Sequence, residues 1–436
     1  MDKRYEWIVV GGGIAGIAIA EILTREGHSV LLLERDERLA GGVTGVCHEW
    51  VHTGSLYTLI GKLVTMKYVL GAIDDLLDYY ACFPRMNLVP TERGLIVGGD
   101  GWFESNYIHF KYRRRPLNPA WTLVAARSMH LIERIANHDW LRRRAGVLEE
   151  LRAGRAEGIA RNARKVLGGR GRFVTVRSTD FTARSRSLLA DLMATAVAGG
   201  LDMRLGCPVR EIKESAEHCQ VVTDQGIFKC QQVVLCTGKH VADFVNARVT
   251  NSYAPMAVVR GLSADAYSFV ELDYHVRNCI NLLVKGGGLG LIGGISLKDE
   301  TQCAAYLDDV IERHRAYQPK LEVLGTYVGV KSEMTTGRED RNYLFHILCP
   351  RLRVWAAIPG KFTLGFSLAP EFYRRAYRRN PRKFFQPAAD TGEAAALIAD
   401  TRWQAVTEEW QRRSQGAAAA GSVPQEPVET TIEPVA

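Results

Sequence analysis

Four glycines stand where the first strand of this chain should hand over to its first helix, in the stretch Val9-Val10-Gly11-Gly12-Gly13-Ile14-Ala15-Gly16-Ile17. The run from Tyr5 to Val10 is apolar and rich in β-branched residues, Ile14 to Gly27 reads as a helix of small residues, and Leu31 to Glu34 reads as a second buried strand. A Gly-x-Gly-x-x-Gly run carries weight only in such a strand–turn–helix–strand setting. Three of the glycines then serve different ends. Gly11 permits the tight turn, Gly13 lets backbone approach a pyrophosphate, and Gly16 lets helix and sheet close up. The amides that open the helix, at Ile14 and Ala15, meet an anion at the positive end of the helix dipole. Glu34, 23 positions after Gly11, stands where an acid accepts hydrogen bonds from the ribose hydroxyls of an adenine dinucleotide.

The rest of the chain narrows the classes available. Its 436 residues, 47% of them hydrophobic, suffice for a large core and suggest two or three domains. The N-terminus lacks the layout of a secretory signal, and no apolar run reaches the roughly 18 residues of a membrane span, which predicts a soluble cytoplasmic protein. Nine cysteines without a Cys-x-x-Cys pair predict reduced thiols rather than a disulfide framework or a metal site. The net charge of +8 is local: residues 111–172 hold 16 Lys/Arg against 5 Asp/Glu. Two apolar runs, 271–284 and 289–297, flank Lys285-Gly286-Gly287-Gly288 and predict a hairpin in an antiparallel sheet. Residues 414–436 have no periodic apolar face and read as a flexible tail.

Beyond the second strand, Arg35 leads into the small-residue loop that holds Gly42, Val43 and Thr44. There a flavin needs glycines to pass beside its ribityl chain, whereas NAD enzymes usually continue into a helix. With the segments 9–37 and GGVTGVCHEWVHTGSLY at 41–57, the chain resembles the D-amino-acid-oxidase-like family of FAD-dependent oxidoreductases, on its L-2-hydroxyglutarate and glycerol-3-phosphate dehydrogenase side. Three later blocks are similar to that family: CPVREI, where Val209 would lie against the adenine; QVVLCTG, ending at Thr237 and Gly238; and AAIPGKFTLGFS, where Gly360, Lys361, Phe362 and Thr363 would close on the flavin. The resemblance implies an α/β fold. A discontinuous Rossmann-like FAD-binding domain (1–85, 173–250, 340–380) would be interleaved with an antiparallel-sheet substrate domain (86–172, 251–339) that carries a basic helical insertion, followed by a C-terminal helical segment (381–413). Pro359-Gly360-Lys361 replaces the family's double-glycine closing loop, and neither a nearby cysteine nor the spacing of His48 and His52 matches covalent attachment, so non-covalent FAD is expected.

A flavin accepts a hydride from a C–H beside an amine or hydroxyl, so the protein must position that C–H, take up a proton and hold charge. Lys361 stands where the resemblance puts the N1 edge of the ring, although a lysine at a helix start also solvates that terminus. His52 suits a general base near neutrality or a buried hydrogen-bonding strut. Lys331 and Arg341 would clamp an anionic group of a small substrate, Arg341 alternatively pairing with Glu339 and Asp340; Arg260 and His346 are weaker candidates, and Tyr57 reads as packing. The basic segment is either a solvated helix face or a dock for an acidic partner: RNA, an anionic membrane surface, or a carrier protein presenting the substrate.

Overall fold

The β-branched run at the start of the chain forms the strand Arg4–Val10, and parallel partners on both sides bury it. In the computed structural model, which describes residues 3–59, 63–142, 151, 155–273, 278–335, 343–419 and 427–429, its neighbours are Val30–Leu33 and Gly226–Leu235. Asp202–Arg204 adds in parallel outside Val30–Leu33, and Val354–Ile358 adds in parallel to the end of Gly226–Leu235. An antiparallel meander, Val209–Glu214 and Cys219–Thr223, completes that sheet on one side, with His346–Arg351 beside Val354–Ile358. Side chains alternate with the strand period of two. Trp7, Val9 and Leu32 pack on the helices Ile14–Arg25, Ser185–Ala198 and Gly365–Tyr377, while Ile8, Val10 and Leu33 share a second core with Ile212, Val221 and Val241.

Register places the site. Val10 lies opposite Leu33 and Leu235, and Leu235 opposite Ala356, so four parallel strands end on one edge. Each is followed by one predicted segment: Gly11–Gly13, Glu34–Asp36, Cys236–Gly238 and Pro359–Phe362. Ligands bind open α/β sheets outside such carboxyl ends.

The second large sheet runs Val428–Glu429, Glu322–Met334, Val249–Arg260, Leu289–Gly294, Asn278–Gly286, Phe269–Asp273, His109–Arg113, Phe173–Arg177. Its pairings are antiparallel except Phe269–Asp273 with His109–Arg113 and the short Val428–Glu429 with Glu322–Met334. One sequence-based expectation is met in this region and two are not. The hairpin expected around Lys285–Gly288 forms, Asn278–Gly286 pairing antiparallel with Leu289–Gly294, and the start of the run 271–284 belongs to a further strand, Phe269–Asp273, antiparallel to Asn278–Gly286. Phe173–Arg177 pairs with His109–Arg113 in this sheet, so residues 173–177 leave the expected FAD-binding portion. The expected tail is ordered in part, because the helix Arg402–Ala419 carries 414–419 and Val428–Glu429 pairs at the sheet edge.

Part of the basic excess has a structural use. Arg161 and Lys165, on the helix Arg155–Gly168, reach Glu133 of Pro119–Ala136 at 2.6 and 3.1 Å. Arg113 and Arg115 reach the buried Asp273 at 3.4 and 2.6 Å, and Arg114 donates to the Val166 and Phe173 carbonyls. Arg143, Arg144 and Arg152 lie outside the described residues. No helix of the described residues is long and apolar enough to cross a membrane.

Candidate active site

Between the strand ends of the first sheet and the face of the second lies a cavity of about 1200 Å³. Its wall at the strand ends follows from local backbone chemistry. Gly11 sits at φ +101, where a Cβ would stand 2.7 Å from the Cys236 carbonyl oxygen, so only glycine turns the chain there. Gly16 does not line the cavity; a Cβ on it would fall 1.8 Å from the Gly11 oxygen, and its absence lets the first helix meet the turn. Gly13 is the N-cap, with no side chain of its own to cap the helix and no acid in the first turn. Ile14 N–H donates to Thr44 Oγ1 at 3.1 Å, which fixes the loop after the second strand over the helix start. Glu34 accepts from the Gly12 and Asp36 amides at 2.6 and 3.1 Å; burial pushes its carboxyl up, and those two amides oppose the shift.

The remaining predicted cofactor residues are mostly on the same wall. Ala15, Arg35, Gly42, Val43 and Val209 line the cavity, as do Thr237, Gly238, Gly360, Lys361 and Phe362. A Cβ on Gly42 or Gly238 would meet no protein atom within 4 Å, and the Thr237 hydroxyl is buried without a hydrogen bond among the described residues. A glycine-lined trough with Glu34 at the end of its second strand and an unsatisfied hydroxyl fits an adenine dinucleotide. Thr363 stands apart from the wall: it is buried and its hydroxyl accepts from the His52 amide at 3.0 Å.

Farther along, the cavity turns cationic. Lys361 places its ammonium 4.5 Å from the centre of the Tyr343 ring and 5.3 Å from that of Tyr57. Lys331 projects from Glu322–Met334, donating to Ser296 Oγ at 3.3 Å. His52 packs 4.4 Å from Trp50, ring centre to ring centre, and faces Asp180, Nδ1 to Oδ2 3.5 Å. Asp180 is wholly buried and accepts from Trp50 Nε1 and from the Thr53 amide and hydroxyl. Burial alone would push that carboxyl up; its contacts with His52 and Thr53 hold it below the usual range. His52 itself is pushed down by burial, with Lys361 and Lys331 acting the same way and Asp180 against them. It is therefore a neutral imidazole near neutral pH, its Nδ1 side turned to an acceptor. His48, also on the wall, is held well below its ordinary value by burial and by Lys331.

Of the other candidates, Arg341 lies outside the described residues. Arg260 pairs with Glu322 at 2.5 Å and stacks on Trp410 away from the cavity. His346 lies on the strand His346–Arg351, off the cavity wall. Tyr57 packs against His52 at 5.5 Å. Three wall or near-wall residues had no sequence signal assigning them: Asp180 behind His52, His48 beyond its place in the motif, and Arg402 at the start of the C-terminal helix.

A sequence model described as DAO, FAD dependent oxidoreductase, matches residues 6–370. No curated protein sequence matches the chain. Among solved structures it is similar to glycine oxidase from Geobacillus kaustophilus, with TM-score 0.62 and 14% identity over 86% of this chain and 95% of that one. L-Amino acid deaminase from Proteus myxofaciens in complex with anthranilate gives 0.60 and 15%, over 88% and 92%. L-α-Glycerophosphate oxidase from Mycoplasma pneumoniae with FAD bound gives 0.59 and 14%, over 87% and 96%.

Proposed function

This chain belongs to the DAO family of FAD-dependent oxidoreductases, and from that premise we propose that it oxidises a small anionic substrate at a carbon bearing an amine or hydroxyl. The observation that carries this reading is a continuous cavity whose one end is the glycine-lined trough and whose other end gathers Lys331, Lys361, His48 and His52. FAD, bound non-covalently, supplies hydride acceptance at its N5.

The residues of the chain divide the remaining work. Gly11, Gly13, Ile14 and Ala15 cradle the pyrophosphate, Glu34 takes the ribose hydroxyls, and Val209 with Thr237 and Gly238 borders the adenosine side. Gly42, Val43 and Thr44 guide the ribityl chain; Gly360, Lys361 and Phe362 close on the ring, where the Lys361 cation stabilises negative charge. His52 receives the heteroatom proton, its orientation set by Asp180 and Thr363. Lys331 attracts the substrate anion as a point charge. The amine- and hydroxyl-oxidising neighbours of the same fold are compatible with either substrate class.

The test is an anaerobic screen of amino acids, amines and 2-hydroxy acids against the loaded protein. Bleaching of the flavin band by an anionic member, and not by its neutral amide or ester, is expected. Bleaching only by neutral or cationic compounds would overturn the anionic reading. A second reading, in which an acidic macromolecule presents the substrate, is favoured by a shallow groove lined by Arg114, Arg161, Arg164 and Lys165. Salt-sensitive retention on RNA or on an acidic carrier protein would support it.

A further inference from the structure

Arg402 is a cation on which the family relationship is silent. It lies beyond residues 6–370, where the family match ends, yet its side chain lines the cavity shared by Lys331 and Lys361. Its delivery there is built in several steps. The chain at 397–402 runs beside the loop that follows the second strand: Leu39 N–H donates to the Leu397 carbonyl, Ala399 N–H to that of Leu39, and Arg402 N–H to that of Gly45 at 2.8 Å. Thr401 then opens the helix Arg402–Ala419, its amide and hydroxyl donating to Gln404 Oε1 at 3.0 and 2.8 Å. The next residue, Trp403, donates to Glu49 Oε2 at 2.9 Å, and Glu49 is in turn paired with the buried Lys285 at 2.6 Å.

Arg402 is partly buried, its Nε is fully shielded from solvent, and that Nε makes no hydrogen bond among the described residues. Its charge acts on the buried Tyr327 phenol, opposing the upward push of burial. Tyr327, Gly329 and Lys331 share one face of Glu322–Met334 by the two-residue strand period. Gly329 lies under the loop at Val46, where a Cβ would stand 3.1 Å from the Val46 oxygen. The helix that carries Arg402 packs on this strand, and Arg402 and Lys331 line the same cavity. A shielded guanidinium nitrogen without an acceptor is costly unless a ligand supplies one.

We propose that Arg402, contributed by the C-terminal helix, is a specificity-determining residue that binds an anionic group of the substrate, a carboxylate first of all. This rests on the reading of the cavity as the site of an anionic substrate. Guanidinium recognises carboxylate through its planar fork, which Lys331 as a point charge cannot do. A second anionic group in the cavity would be an FAD phosphate, so the experiment separates the two sources.

The experiment uses purified FAD-loaded protein as wild type, Arg402→Met and Arg402→Lys. Dissociation constants for acetate, glycolate and succinate are read from perturbation of the flavin absorption band, with acetamide as the neutral counterpart, and FAD retention is measured by dilution. The expected result is carboxylate binding weakened by roughly tenfold or more in Arg402→Met, a smaller loss in Arg402→Lys, no change for acetamide, and FAD retention as in wild type. Unchanged carboxylate constants in Arg402→Met, against a responsive wild type, would overturn the role of Arg402 and leave the anionic-substrate reading standing. Loss of FAD from Arg402→Met with unchanged carboxylate constants in the molecules still loaded would overturn it in favour of a phosphate contact. No response to any carboxylate in wild type would overturn both.

Discussion

At one end of the cavity, Gly11, Glu34, Thr237 and Gly360 each follow closely on one of four parallel strands in the first sheet, and the register of those strands brings them together. At the other end, His48, His52, Lys331, Lys361 and Arg402 come from segments that meet only when two sheets and a C-terminal helix are assembled. The first end is largely a local product, in which a turn, a helix start and an acid are fixed within about thirty residues of sequence. The second end depends on long-range contacts and on buried charges that must be paired. Substitutions should therefore fail differently at the two ends, the first through backbone and cofactor, the second through electrostatics.

Gly16→Val tests the local end most severely. The Cβ of the new side chain would lie 1.8 Å from the Gly11 oxygen, so the helix and turn must separate. We expect little folded, flavin-loaded protein; yellow protein with wild-type melting behaviour would refute the packing argument.

Lys285→Met tests the assembled end. Lys285 and Glu49 are both almost wholly buried, and Lys285 holds the Glu49 carboxyl below its ordinary range against the push of burial. Removing the cation leaves a buried carboxylate with only Ser185 and Trp403 as donors among the described residues. A loss of about 3–5 kcal/mol in unfolding free energy is expected, partly restored by adding Glu49→Gln. Denaturant titration of wild type, Lys285→Met and the double variant measures it, and a change below about 1 kcal/mol, the usual size for an exposed pair, would contradict the role of the pair as a tie between the second sheet and the segment that leads into Trp50–Val51.

Glu34→Ala should act on the cofactor alone. It removes charge-assisted hydrogen bonds worth about 1.5–3 kcal/mol, so FAD affinity should fall by roughly ten- to a hundredfold while the loaded protein turns over normally. Equal FAD affinity in wild type and variant would take Glu34 out of the binding trough.

Asp180→Asn has the smallest expected effect and a defined sign. Burial, Lys361 and Lys331 lower the pKa of His52, and Asp180 opposes them. Without that carboxylate the folded pKa falls further, so a rate that needs neutral His52 keeps its plateau to lower pH. An acid limb that moves up, or does not move, would remove Asp180 from the proton-handling unit.

How much of this was legible in the sequence follows the same division. The parallel strands, the turn at Gly11 and the acid at Glu34 could be read because their chemistry is contained in one strand–helix–strand unit. The resemblance carried Val209, Thr237 and Gly360 to the same wall. Lys331 was legible as a candidate anion clamp, but Asp180 was not, because nothing near it in sequence marks it as the partner of His52. Arg402 was invisible for the same reason: the helix Arg402–Ala419 has an unexceptional composition, and only its hydrogen bonds to the loop at 39–45 bring it to the cavity. The division of 271–284 into two strands was hidden because an apolar run does not show where a chain doubles back. The helical turn at 414–419 was hidden because alanine and glycine there have no apolar stripe to read, although alanine is a strong helix former.

The most direct test needs no knowledge of the substrate: the midpoint potential of the bound flavin in wild type, Lys361→Met and Lys331→Met. If Lys361 faces the flavin ring as proposed, losing its charge should lower the potential, by about 30 mV for each 1.4 kcal/mol of lost stabilisation of the two-electron reduced form. Lys331→Met should leave the potential close to wild type and weaken anion binding instead. A Lys361→Met potential equal to wild type would contradict the proposed site, because the cationic end of the cavity would then not face the flavin.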